Sequence, residues 1–155
     1  MTKAPINPTT PESIALTNDI LTATRFGALA VVDPDGAPYV TRVGLIWDGN
    51  GFLTLVSRLS THTTALLAAP QCAVLVGEPG DKGDPLTHPR LTVQCTAAQV
   101  DKPAHKPTWL AQIPKAKLYY DFPDFIMFRL TPTAFHLNGG FGKAFRLTGA
   151  DLAEN

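Results

Sequence analysis

The sequence predicts a mainly β fold: a small antiparallel β-barrel of six or seven strands with short helices around it. Three observations carry that reading. Short runs rich in β-branched and aromatic residues recur along the chain, among them Tyr39 to Trp47, Phe52 to Ser57 and Arg90 to Val100. Turn signals separate them, Asp33-Pro34-Asp35-Gly36 and Asp48-Gly49-Asn50-Gly51 being the strongest. Several strands, Ala28-Leu29-Ala30-Val31-Val32 for example, are apolar on both faces, so one face fills a barrel and the other needs a helix or a partner chain over it.

The elements follow in order. Residues 1–10 read as a flexible arm, and 11–155 as one domain. Thr10, Pro11 and Glu12 form a helix start, and Leu16, Ile20 and Ala23 give one apolar face, which predicts a helix from Pro11 to Arg25. Strands are expected over Ala28–Asp33, Tyr39–Trp47 and Phe52–Ser57, then a helix over Ser60–Ala69 that Pro70 stops. A fourth strand covers Cys72–Gly77. The Pro- and Gly-rich stretch from Glu78 to Pro89 is a surface loop, and Arg90–Val100 is the fifth strand. A short helix around Trp109 spans Pro107–Gln112, strands six and seven cover Phe125–Leu130 and Ala134–Leu137, and Thr148–Glu154 makes a capped helical turn.

Composition excludes several functions. Hydrophobic residues make up 45% of the 155, which rules out a disordered polar chain. Thirteen basic residues balance thirteen acidic ones, so the basic surplus of a nucleic-acid binder is missing. Low charge favours self-association, and an oligomer is expected. No run approaches the ~20 apolar residues of a membrane span, and Met1 to Glu12 lacks the apolar stretch of a signal peptide, so the expected location is the cytoplasm. Cys72 and Cys95 lack metal-ligand spacing and read as buried free thiols, and the four histidines are scattered, so no metal site is expected.

Three places can carry chemistry. Val56-Ser57-Arg58-Leu59-Ser60-Thr61-His62-Thr63 runs from a strand into a helix N-terminus, where free N–H groups and the helix dipole attract an anion. Arg58 and His62 add cationic donors and Ser57, Thr61 and Thr63 add hydroxyls, which suits a phosphate; an ordinary Ser/Thr cap explains the same residues. Arg42 lies mid-strand, where a charge needs an ion pair or a ligand, and Arg90 is either a ligand contact or a solvated strand end. Asn138-Gly139-Gly140-Phe141-Gly142-Lys143 permits close backbone approach but lacks P-loop spacing. No paired carboxylates and no G-x-S-x-G elbow are present.

Beyond these, the S-R-L-S-T-H-T-T-A-L segment, Gly83-Asp84-Pro85-Leu86, Arg90-Leu91-Thr92-Val93-Gln94 and His136-Leu137-Asn138-Gly139-Gly140-Phe141-Gly142-Lys143-Ala144 together resemble the FMN-binding split-barrel superfamily of pyridoxamine 5′-phosphate oxidase, within it the haem-utilisation branch. The resemblance covers Ile14 to Phe145 and implies a split barrel, a homodimer and one FMN at each end of its interface. It places the phosphate at Arg42, Ser57, Arg58, His62 and Thr63, beside Val56. Val43 and Gly44 would line the flavin ring through their backbone, Arg90 or Gln94 would approach it, and Trp109 would stack on or wall the pocket. Gly140 and Lys143 would stand at the cleft mouth. The implied activity is an FMN-dependent oxidoreductase acting on a small-molecule substrate. The alternatives are haem binding and degradation, with His136 as a haem contact, and a non-catalytic flavin or haem carrier. After Phe128, Arg129, His136 and Arg146 stand apart, so the close Arg/His pair of the oxidase itself is unmatched.

Overall fold

The structure, a computed structural model, describes residues 5–153. Helix α1 (Pro11–Ala23) opens with a reciprocal cap: Thr10 Oγ1 accepts from the Ser13 amide at 3.1 Å and Ser13 Oγ from the Thr10 amide at 2.9 Å. It stops before Arg25 because Thr24 is already extended. Within the segment expected as an arm, Asn7 donates from its amide to the Ala144 carbonyl and from Nδ2 to the Gly142 carbonyl; Met1 to Ala4 lie outside the described residues.

Eight antiparallel strands follow: β1 (Phe26–Val32), β2 (Pro38–Gly44), β3 (Ile46–Trp47), β4 (Phe52–Ser57), β5 (Gln71–Val76), β6 (Arg90–Val100), β7 (Phe125–Asn138) and β8 (Ala144–Leu147). Their order is β2-β1-β5-β6-β7-β4-β3, with β8 added beside β7. Helix α2 (Thr61–Ala68) joins β4 to β5, α3 (Lys106–Gln112) lies between β6 and β7, and α4 (Gly149–Ala153) ends the described chain.

Three differences from the sequence reading have physical causes. Tyr39–Trp47 is two strands, because the chain leaves β1 at Gly44 and pairs with β4 from Ile46. Strands six and seven are one: Pro132 lacks an amide to donate, and a bulge absorbs it, since Gln94 pairs with Ala134 and Cys95 with Pro132, leaving Thr133 to donate its hydroxyl to the Gln94 carbonyl. The Gly-rich stretch is the turn of a hairpin into β8, which the sequence reading left out.

The β2-to-β3 handover curls the sheet into a barrel. Thr54 Oγ1 donates to the Gly44 carbonyl at 2.7 Å, and the Leu45 amide donates to the Arg25 carbonyl at 3.0 Å. Gly27 sits at the crowded start of β1, where an added Cβ would lie 2.7 Å from the Leu75 carbonyl oxygen. The barrel interior is filled by Leu29, Val74, Val93, Phe128 and Phe135 with their neighbours. A second core outside the barrel joins Leu53, Leu55 and Met127 to Trp109, Ala116 and Tyr120, so β4 is buried on both faces. Cys72 and Cys95 face each other across β5 and β6 as free thiols, and burial pushes the Cys72 thiol up to about 11.

Two consequences can be measured. Thr54 is fully buried, so Thr54→Val keeps the shape but strands the Gly44 carbonyl, and urea denaturation should show a loss of about 1–3 kcal/mol. At the next turn, Asp48 binds Arg129 Nη1 at 2.6 Å and caps the amides of Asn50 and Gly51 at 3.0 Å each. Burial alone raises the Asp48 carboxyl, but the Asn50 amide, Arg129 and the Gly51 amide outweigh it and hold it below the ordinary carboxylate range. The contribution is therefore present above the unfolded carboxylate value, about pH 4, and is lost as pH falls through the lower folded value. Asp48→Ala should cost roughly 1–3 kcal/mol at neutral pH, with the gap to the native protein closing below about pH 4.

Candidate functional site

Residues alternate in and out along each strand, and register carries the outward positions from strand to strand. Arg42 pairs with Ala28, Ala28 with Leu75, Leu75 with Thr92, Thr92 with His136 and His136 with Arg146. These residues form one outward row across six strands. The β2–β1–β5 end of that face is apolar and uncovered: Phe26, Val32, Val40 and Leu75 are 44%, 50%, 66% and 45% exposed. At that scale, exposed apolar surface marks a binding face.

A groove of about 570 Å³ lies on this face. Its floor is Phe26, Ala28, Val40 and Leu75, and its wall is the loop from Gly77 to Arg90, through Pro79, Leu86 and His88. Arg42 and Arg90 both line it, although they stand on strands separated by β1 and β5. The Arg42 guanidinium lies 5.8 Å from the Phe26 ring centre, and Arg90 Nη1 donates to the Leu86 carbonyl at 3.0 Å. The structure thus combines an apolar slot with two guanidinium groups, a donor set suited to a flat apolar molecule carrying carboxylates or phosphate.

The second set of candidates lies at the split in the barrel. Beyond the Thr54–Gly44 junction, the outer edges of β2 and β4 have no strand partner among the described residues. Arg42 stands two residues up one lip (~7 Å) and Ser57 three residues up the other (~10 Å). Ser57 Oγ is already committed, donating to Asp124 Oδ2 at 2.8 Å and accepting from the Leu59 amide. Arg58 is exposed. Burial pushes the His62 imidazole below its ordinary value, which favours the neutral ring. Among the described residues, Ser60 makes no side-chain cap and the fully buried Thr63 Oγ1 has no hydrogen-bond partner. Such an orphan leaves a hydroxyl open to a further hydrogen bond.

The remaining candidates are dispersed. Val43 and Val56 point into the barrel core, so they can offer only backbone to a ligand. Gly44 is roofed by Trp109, whose ring carbon Cζ2 would lie 3.2 Å from an added Cβ. Trp109 itself, expected to stack on or wall the pocket, is 1% exposed and belongs to the second core, with its indole N–H unpartnered. Gln94 Oε1 and His136 Nε2 are 2.9 Å apart on the outer face. Gly140 lies at φ +128°, reachable by glycine alone, against the Thr87 carbonyl, and Lys143 is exposed. Phe26, Leu75, Leu86 and His88 were absent from the sequence-based candidates. The outward apolar positions of β1 and β5 were the available signal for the first two.

Comparison with known proteins agrees with this architecture. Residues 15–139 match the profile of the family described as pyridoxamine 5′-phosphate oxidase. The haem oxygenase HutZ of Vibrio cholerae is 27% identical over 135 residues, 81% of this chain and 76% of that protein. A chloroplastic haem oxygenase, HOZ, of Arabidopsis thaliana is 34% identical over 116 residues, 72% of this chain but 35% of its own length. The structure of a haem-binding protein from Mycobacterium smegmatis superposes with a TM-score of 0.85 at 25% identity, over 95% of this chain and 62% of that one. The eight-stranded split barrel and the profile match over most of its length place the chain in the pyridoxamine 5′-phosphate oxidase family.

Proposed function

We propose that the chain binds haem in the two-arginine groove and works as a haem oxygenase, assembled as a homodimer through the bare sheet face. The observation that carries this is the pairing of an uncovered apolar floor with Arg42 and Arg90. The residues fit the ligand: Phe26, Val40, Leu75 and Leu86 suit a porphyrin face, and the guanidinium groups suit its propionates. The relatives named for haem support the same choice. Once bound, haem would both activate dioxygen and be the substrate whose ring is opened. The chain's own part is to hold the propionates, orient the ring and keep water from it. A second subunit would complete the groove and bury more than about 2,000 Å².

Hemin titration followed by its absorption band near ~400 nm tests the reading, with light scattering to report the dimer. Arg42→Ala should weaken hemin binding about three- to tenfold, a modest loss because the guanidinium is partly solvated. The distant exposed Lys117→Ala should leave it unchanged. A protein that binds no hemin, or an Arg42 variant identical to the native one, removes the groove from the site.

One observation favours a second reading, FMN bound with its phosphate at the α2 N-terminus: the orphaned Thr63 hydroxyl beside uncapped amides. On that reading Arg58→Ala should weaken FMN about tenfold or more while sparing riboflavin, which lacks the phosphate. Equal losses for both ligands would assign Arg58 to the fold.

A further inference from the structure

The loop beside the groove is built in two parts. Residues 84–88 form a rigid turn: Asp84 Oδ1 accepts from the Leu86 amide at 2.9 Å, the Asp84 carbonyl accepts from Thr87 Oγ1 at 2.7 Å, and the His88 amide closes on the Pro85 carbonyl. The strap before it, Pro79 to Gly83, has no such internal frame. Its hydrogen bonds to the rest of the chain, among the described residues, run through the His88 ring. The Gly80 amide donates to Nδ1 at 2.8 Å, and Nε2 lies 2.6 Å from the Lys82 carbonyl. Gly80 makes room for the ring, since an added Cβ there would lie 3.1 Å from Cε1, and Gly83 turns the strap at φ +80°.

The partners fix the ring's state. A backbone amide can only donate and a carbonyl can only accept, so Nδ1 must be bare and Nε2 must carry the proton. A doubly protonated imidazole would point an N–H at the Gly80 N–H, and the strap would lose that attachment. Glu78 and Pro79, at the strap's near end, line the groove together with His88. The charged groups around this wall are Glu78, Asp81, Lys82 and Asp84 of the loop, Arg90 and Arg42 across the groove, Asp19 and Arg25 on the α1 side, and Lys143 in the turn that abuts Thr87.

We propose that His88 is a proton-sensitive latch: its neutral ring holds the strap, whose Pro79 lines the groove, and protonation frees the strap and lowers the groove's hold on its ligand. The ligand half rests on the haem reading above; the latch half stands on the loop alone. The physical device is a donor–acceptor mismatch that one proton creates, at the hydrogen bonds that organise the strap.

The test separates the two halves. In ligand-free protein, nitrogen-15 NMR should show the Gly80 amide moving with the His88 ring nitrogens as pH is lowered until the ring is protonated. His88→Gln offers an oxygen to Gly80 and an N–H to Lys82 without titrating, so its Gly80 amide should hold still over the same range. His88→Ala should show the released position at both ends. Hemin affinity of the native protein should then fall roughly three- to tenfold more than that of the Gln variant across this range. A Gly80 amide indifferent to the ring's titration, an Ala variant with the closed Gly80 position, or equal hemin losses in native and Gln proteins would each overturn the proposal. A Gly80 amide that follows His88 in a protein that binds no hemin would keep the latch and dismiss haem as its ligand.

Discussion

Closure of the barrel turns on the β2-to-β3 handover, which the hydrogen bond from Thr54 Oγ1 to the Gly44 carbonyl holds together with that from the Leu45 amide to the Arg25 carbonyl. At that point the chain gives up β1 as its partner and takes β4, and two strand edges that would otherwise stay apart are joined. A carbonyl at such a handover has lost its ladder partner, and burial makes an unmet acceptor costly. Trp109 lies close over Gly44, so a side chain there would press on the indole ring. The split above the junction is the other side of the same constraint: beyond it β2 and β4 do not pair, among the described residues.

The groove follows from unequal covering of the sheet. Around β4 and the start of β7, α3 and the turns after it bury the outer face, which gives Leu53, Leu55 and Met127 a core of their own. Around β1, β2 and β5 no helix does this, yet the outward residues remain apolar. Alternation that is apolar on both faces makes sense only where something else completes the second face. Arg42 and Arg90 interrupt that apolar surface with two positive charges.

Much of the fold was legible because its punctuation is local. The bounds of β4 and β6 are those the sequence implies, since turn residues flank both, and α2 ends where Pro70 requires. The misreadings arose where a long-range cause prevailed. Pro132 reads as a break, but the partner strand accommodates it with a bulge. Nothing local marks Leu45, inside a continuous apolar run, as the place where the strand changes partner. In the site, Arg42 and Arg90 drew notice as charges on strands, whereas their shared groove depends on register through β1 and β5. Trp109, which the resemblance put at the pocket, stands in the second core against Gly44, a place that only the folded chain reveals. His88 carries no local pattern, because its role comes from two backbone groups that a loop brings to its ring.

The central position of β7 also bears on how the chain reaches this shape. β7 pairs with β4, β6 and β8, and the Ser57–Asp124 contact at its entry joins residues 67 apart in sequence. During synthesis, β4 leaves the ribosome well before the strand that pairs with it. Until β7 arrives, a segment reading Phe-Leu-Thr-Leu-Val has two apolar faces and an open edge, the combination that promotes association between unfinished chains. Non-local pairing of this kind slows folding, so the vulnerable interval belongs to the topology itself. The barrel is completed from its C-terminal half, and soluble yield depends on how β4 is shielded while it waits.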